Sequence, residues 1–202
     1  AQIVKPKNKK SEIKGFVTGG KGLMFLALYL ISIILANVIT AAFAPMQLGI
    51  FLVPWGSWLI GATFILRDII QAKYGRRTAY IAIIVALALS ATTSKLLGDT
   101  LAITLASAMS FFISEATDTE IYTRFKTSFL KRVFASGVVS SFLDSAIFVT
   151  IGLSPLISGF LSWEAIPYAV MGQFIVKSLM QVIGIAVLYL FKPLKEVTIN
   201  ER

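Results

Sequence analysis

The chain has 202 residues, of which 56% are hydrophobic and 14% charged, with a mean hydropathy of +0.81 and a formal net charge of +9. A soluble domain carries about a quarter charged residues, so this composition excludes large extramembrane domains and sets the chain in the membrane class. There is neither Cys nor His, which removes thiol nucleophiles, disulfides and the usual transition-metal ligands, so that no metal or cofactor is expected.

Taken in order, residues 1–21 carry Lys5, Lys7, Lys9, Lys10, Lys14 and Lys21 among polar residues and predict a flexible basic arm. The apolar run that follows is too long for a signal-peptide core. Helix 1 is expected over about Leu23 to Phe43, interrupted by Asn37 and ended by Pro45. Helix 2 is expected over about Leu48 to Leu66, with Trp55 and Trp58 at a membrane-interface belt. Arg67-Asp68 then begins a polar turn that continues from Gln71 to Arg77. Ala-rich helix 3 covers about Thr78 to Ala91, extending at most to Leu97, and suits close packing.

Helix 4 begins at Leu101, but its apolar run stops at Ile113, just before Glu115, Asp118 and Glu120. Three geometries fit: a tilted helix, a re-entrant one, or an extension to Tyr122 with the carboxylates facing a cavity. Helix 5 is expected over about Val133 to Leu153 and helix 6 over about Ile166 to Phe191, with Pro193 as the stop. Each span needs about 20 apolar residues to cross roughly 30 Å of hydrocarbon. The fold class is therefore all-α, a polytopic six-transmembrane-helix bundle over residues 22–192 with a tail at 193–202.

Charge orients the bundle. Of the 19 basic residues, all but Lys95 and Lys177 lie in the arm, the turn between helices 2 and 3, the turn between helices 4 and 5, or the tail. Six crossings put these four segments on one side, so both termini are expected in the cytoplasm, with the protein multi-pass in its membrane. The basic excess then belongs to topology rather than to a nucleic-acid partner.

Ionisable groups inside such helices mark candidate function. Counting ~1.5 Å per residue, Asp144 on helix 5 and Lys177 on helix 6 reach nearly the same depth, which predicts a pair with Ser140, Ser141 and Gln173 nearby. Gln173, Lys177 and Gln181 recur every fourth residue and make a polar stripe. Glu115, Asp118 and Tyr122 share one face of helix 4. Asn37 needs amide partners within hydrocarbon, and Asp68 has Arg67 or Lys73 for a local partner. Against each functional reading stands a plain one: a pair that only fixes two helices, helix-end charges in water, tryptophans as interface anchors, and Glu120 simply solvated.

Enzyme chemistry has little support. Ser140 and Ser141 have no His base, and Gly98-Asp99 matches half of an intramembrane aspartyl protease centre without a partner Asp at its depth. No strand pattern is present to carry a phosphate loop.

The chain resembles the VUT family, the queuosine-precursor transporters. The likeness covers most of residues 30–192. It rests on Ala36-Asn37-Val38, on Asp68 followed by Tyr74-Gly75, and on Ser114-Glu115-x-x-Asp118-x-x-x-Tyr122. It continues in Ser140-Ser141-x-x-Asp144-x-x-Ile147-Phe148 and Lys177. Val53-Pro54-Trp55-Gly56-Ser57-Trp58 departs from the Phe-Pro-Leu-Thr run of many relatives.

The resemblance implies a six-helix inner-membrane importer of 7-deazaguanine bases such as preQ0 or preQ1, which serve tRNA modification. A deazaguanine has an N–H and an NH₂ on one edge for a carboxylate, and a carbonyl for Asn, Gln or Lys. The expected edge reader is Glu115 or Asp144, with Asn37, Gln173 or Lys177 at the carbonyl. Asp68, Asp118 and Ser140 complete the expected polar set, and Trp55, Trp58 and Phe148 the stacking set. The expected partners are the base, the bilayer and, in a homodimer, a second copy. Two alternatives stand beside import: a vitamin-type binding subunit that needs a separate ATP-driven module, and a non-transporting membrane scaffold.

Overall fold

The computed structural model describes residues 20–190. Nearly all of the expected basic arm, and all of the tail at 193–202, lie outside the described residues. Within them the protein is mostly helical. Helix α1 is Gly20–Ala42, the strands β1 and β2 are Met46–Leu48 and Phe51–Val53, α2 is Gly56–Leu96 and α3 is Leu101–Arg124. Helix α4, Phe129–Ile147, continues as a π-helical segment, Phe148–Leu153, and α5 is Ile166–Leu190. Four stretches are long and apolar enough to cross a membrane: Gly20–Ala42, Gly56–Leu96, Phe129–Leu153 and Ile166–Val187.

The 41 residues of α2 would make a straight rod of about 62 Å, twice the roughly 30 Å of a hydrocarbon core. Gly75 breaks the rod, with φ 85 and ψ 166, a conformation open essentially to glycine alone. The limbs 56–74 and 76–96 fold back on each other, as their contacts with α1 establish. The Gly56 N–H donates to Thr40 Oγ1 at 3.0 Å, and Asn37 Nδ2 donates to Ser90 Oγ at 3.0 Å. Opposite ends of α2 thus meet neighbouring positions of α1.

Three expectations are corrected here. Helix 2 does not start at Leu48, because β1 and β2 pair antiparallel, Met46 with Val53 and Leu48 with Phe51. Gly49, at φ 61, supplies the positive angle that the two-residue turn requires, and Pro54, lacking an N–H, follows the ladder. A strand pattern of three alternating residues is too short to register in a sequence. Nor do Arg67 and Asp68 begin a polar turn: both lie inside the first limb of α2, fully buried. Glu120 is not simply solvated either, since it pairs with Arg76 and accepts from the Tyr80 hydroxyl at 2.7 Å.

Helix α3 takes the extended option and runs through its carboxylates to Arg124. Thr100 caps its start, accepting from the Ile103 N–H at 3.3 Å.

The packing is polar inside and apolar outside. Leu28, Ile31, Leu35, Ile84, Leu105, Phe142, Leu179 and Val187 are exposed, whereas Arg67, Asp68, Glu115, Asp118, Gln173, Lys177 and Gln181 are buried. That inversion suits lipid as solvent, where polar groups must find partners within the protein. Small residues let the helices close in: a Cβ at Gly61 would stand 2.7 Å from the Lys177 carbonyl oxygen. Helix α5 therefore lies against α2 at backbone distance, which brings the charged stripe of α5 into the middle of the bundle.

Candidate functional site

One cavity of about 300 Å³ lies between α1, α2, α3, the α4–π segment and α5. Its rim includes Pro45, Pro54, Asp99 and Phe160, all from connections at the hairpin end of the bundle. Asn37, Ser57, Ser90, Ser94, Ser107 and Ser110 supply polar wall, and Phe111 and Phe148 supply rings. The π-helical segment begins at Phe148, one turn past Asp144, and so sets both into the wall; such segments are frequent at functional sites.

The cavity ends on a charged group built by two helices. Lys177 Nζ donates to Asp144 Oδ2 at 2.7 Å, Ser145 Oγ at 3.1 Å and Gln173 Oε1 at 3.0 Å. Its three donors are thereby engaged. The pair forms where helix depth predicts it, with Lys177 2% and Asp144 8% exposed. Gln173 keeps Nε2, a buried donor with no partner among the described residues, and the Asp144 carboxylate, held through Oδ2 by the same Lys177, lines the cavity with it. An acceptor and a donor therefore sit side by side at the end of the cavity. One turn further, Gln181 Nε2 donates to Gly137 O at 3.0 Å and Ser141 Oγ at 2.7 Å, filling the space beyond.

A second charged layer lies past that floor, around Arg67. Its guanidinium contacts Asp68 Oδ1 at 2.5 Å, Glu115 Oε2 at 3.0 Å and Asp118 Oδ2 at 2.6 Å. It also donates to Gln71 Oε1 at 2.8 Å and Thr119 Oγ1 at 2.9 Å. Tyr29 of α1 faces Glu115, while Ser136 and Ser140 of α4 face Asp118. None of Arg67, Asp68, Glu115 and Asp118 lines the cavity.

The expected residues thus divide. Asn37, Asp144, Phe148, Gln173 and Lys177 share the cavity, while Asp68, Glu115, Asp118 and Ser140 belong to the arginine layer. Trp55 and Trp58 lie outside both: Trp55 is 42% exposed, its ring 6.3 Å from that of Phe43. The amide nitrogen of Asn37 is engaged by Ser90, and Lys177 has no donor left over. Sequence reasoning missed Arg67 as a hub. The signal was present in Arg67 and Gln71 at helical spacing with Ile69 and Ile70 between them, which carries the helix onward. It also missed the serine wall, legible as Ser90/Ser94 and Ser107/Ser110 on two helix faces, and Asp99, which accepts from Ser94 at the rim.

A family model described as "Putative vitamin uptake transporter" matches residues 90–191. The matched half contains Ser90, Glu115, Asp118, Asp144, Phe148, Gln173 and Lys177. Comparison with curated proteins and with solved structures finds no match.

Proposed function

The chain belongs to this family of vitamin uptake transporters, and on that premise we propose that it imports a 7-deazaguanine base such as preQ0 or preQ1, held by Asp144 and Gln173. The observation that carries the reading is that the Asp144 carboxylate and Gln173, both bound to Lys177 Nζ, line one cavity, with the buried amide Nε2 of Gln173 left unpartnered among the described residues. A guanine-type edge offers the complement, N–H and NH₂ for the carboxylate and C=O for the amide. At about 300 Å³ the cavity is at the small end of ligand sites, in keeping with a single bicyclic base. Phe148 is the ring for its flat face. Glu115 is less suited to reading the edge than Asp144, because Arg67 engages it outside the cavity.

The bundle is read as six crossings, the two limbs of α2 counting as two and α3 as one, with both termini in the cytoplasm of a cell whose inner membrane holds the protein. The hairpin end then faces outward and the bend at Gly75 inward. Import proceeds by alternating exposure of the site, and a transport role rather than catalysis is what family membership supports.

Cells unable to make the precursor test this: given labelled preQ0 or preQ1, they should accumulate it only when they carry the intact chain. Uptake of neither base, with the protein inserted, rejects the substrate. The family description also favours a second reading, a vitamin-binding subunit driven by a separate ATPase; co-purification with an ATPase would support it, and uptake by the purified chain alone in liposomes would exclude it.

A further inference from the structure

Arg67 presents one positive charge to three carboxylates, Asp68, Glu115 and Asp118, and all four side chains are 0–1% exposed. Fully ionised, the group would hold a net charge of −2 away from water. Uncompensated charge of that kind is several kcal/mol unfavourable per ion even after relaxation, and buried carboxyl groups take up protons instead.

Among the described residues, the other groups around the cluster do not supply the missing positive charge. From α1 the cluster meets Tyr29; from α2, Gln71; from α3, Thr119; from α4, Ser136 and Ser140. The charged groups of the cavity layer, Asp144 and Lys177, neutralise each other. Neutral hydroxyls of Tyr29, Ser136 and Ser140 face Glu115 and Asp118, and Asp68 Oδ2 is buried with no partner among the described residues. Among the described residues no three acidic groups converge in the way a multi-carboxylate metal site requires. They surround the guanidinium instead.

We propose that the Arg67 cluster is a proton site, holding at least one exchangeable proton among Asp68, Glu115 and Asp118, and that loading and unloading this proton drives substrate through the neighbouring cavity. The step makes and breaks only an O–H bond: a carboxylate takes H⁺ from water on one side, and the acid returns it to water on the other. Its place in the bundle suits the task. Glu115 is one helical turn past Phe111 of the cavity wall, and Gln71, one turn beyond Arg67, ties α2 to Thr119 and Thr123 on α3. Neutralising Glu115 or Asp118 weakens its hold on Arg67 and with it the contact between α2 and α3. The coupling part of this inference rests on the import reading; the proton itself does not.

Two measurements on the full chain separate them. Infrared spectra of the purified protein in lipid, without substrate, should contain a protonated-carboxyl stretching band at neutral pH that shifts in heavy water. The band should weaken in Glu115→Gln, Asp118→Asn or Asp68→Asn. Its absence from the intact protein overturns the proton site whatever the protein transports. In proteoliposomes with the membrane potential clamped, an acid outer side should concentrate the neutral base preQ0 about tenfold per pH unit for one coupled proton. Exchange of labelled for unlabelled preQ0 at equal pH serves as the control. Exchange without pH-driven accumulation overturns the coupling and leaves import standing. Loss of exchange in the intact protein overturns import, with its coupling, and leaves the infrared band to decide the proton site.

Discussion

At the scale of single residues, the chemistry of the bundle depends on which polar atoms are engaged and which are free. Lys177, Arg67 and the amide nitrogen of Asn37 are engaged by the protein, whereas Gln173 Nε2 has no partner among the described residues and, on the proposed reading, joins Asp144 in holding the ligand. Charged hydrogen bonds are worth about 1.5–3 kcal/mol, so Asp144→Asn should weaken preQ0 uptake by roughly ten- to a hundredfold. Asp144→Asn also strands Lys177, and unpairing a buried charge costs about 3–5 kcal/mol. The double variant Asp144→Asn/Lys177→Met should therefore recover thermal stability without recovering uptake. A double variant that regains both would make the pair merely structural. Arg67→Met should lower stability by about 3–5 kcal/mol, read as a fall in the unfolding temperature in lipid or detergent. An unchanged melting point would deny the hub its role.

At the scale of elements, the helices were legible where apolar length alone decides and illegible where partners decide. Apolar runs located α1, α4 and α5 to within a few residues, and helix rise placed Asp144 opposite Lys177 before any contact was known. The same reasoning put Arg67 and Asp68 in a turn, because a charged pair after an apolar run looks like water. The hydrogen-bond partners that hold the Arg67 guanidinium inside include Glu115, Asp118 and Thr119 of α3, distant in sequence. The hairpin escaped notice for a related reason: its strands hold three residues each and depend on one glycine. Two glycine substitutions test the element-level geometry. Gly75→Ala, at φ 85, should cost about 1–3 kcal/mol, measured by unfolding in lipid; no loss would mean that the limbs of α2 meet otherwise. Gly61→Val should force α2 from the α5 backbone at about 1–3 kcal/mol, and should reduce uptake as well, since α5 carries Gln173 and Lys177.

At the scale of the whole molecule, an apolar exterior, a polar interior and a cavity at the hairpin end describe a protein that meets lipid on its flanks and a small polar ligand at its centre. The chain contains no Cys, so single cysteines report topology without background. Ser158→Cys, in the connection before α5, should react with an impermeant thiol reagent from outside intact cells, and Thr127→Cys, between α3 and α4, only after the membrane is opened. Labelling of both from outside would refute the six-crossing arrangement. The central claim is that substrate binds on Asp144 and Gln173 rather than on the arginine layer. Equilibrium binding of labelled preQ0 to the purified, lipid-reconstituted chain tests it most directly. Binding should be saturable in the intact protein, roughly ten- to a hundredfold weaker in Asp144→Asn, and nearly unchanged in Asp118→Asn. Full-strength binding by Asp144→Asn, with loss in Asp118→Asn, would contradict the account.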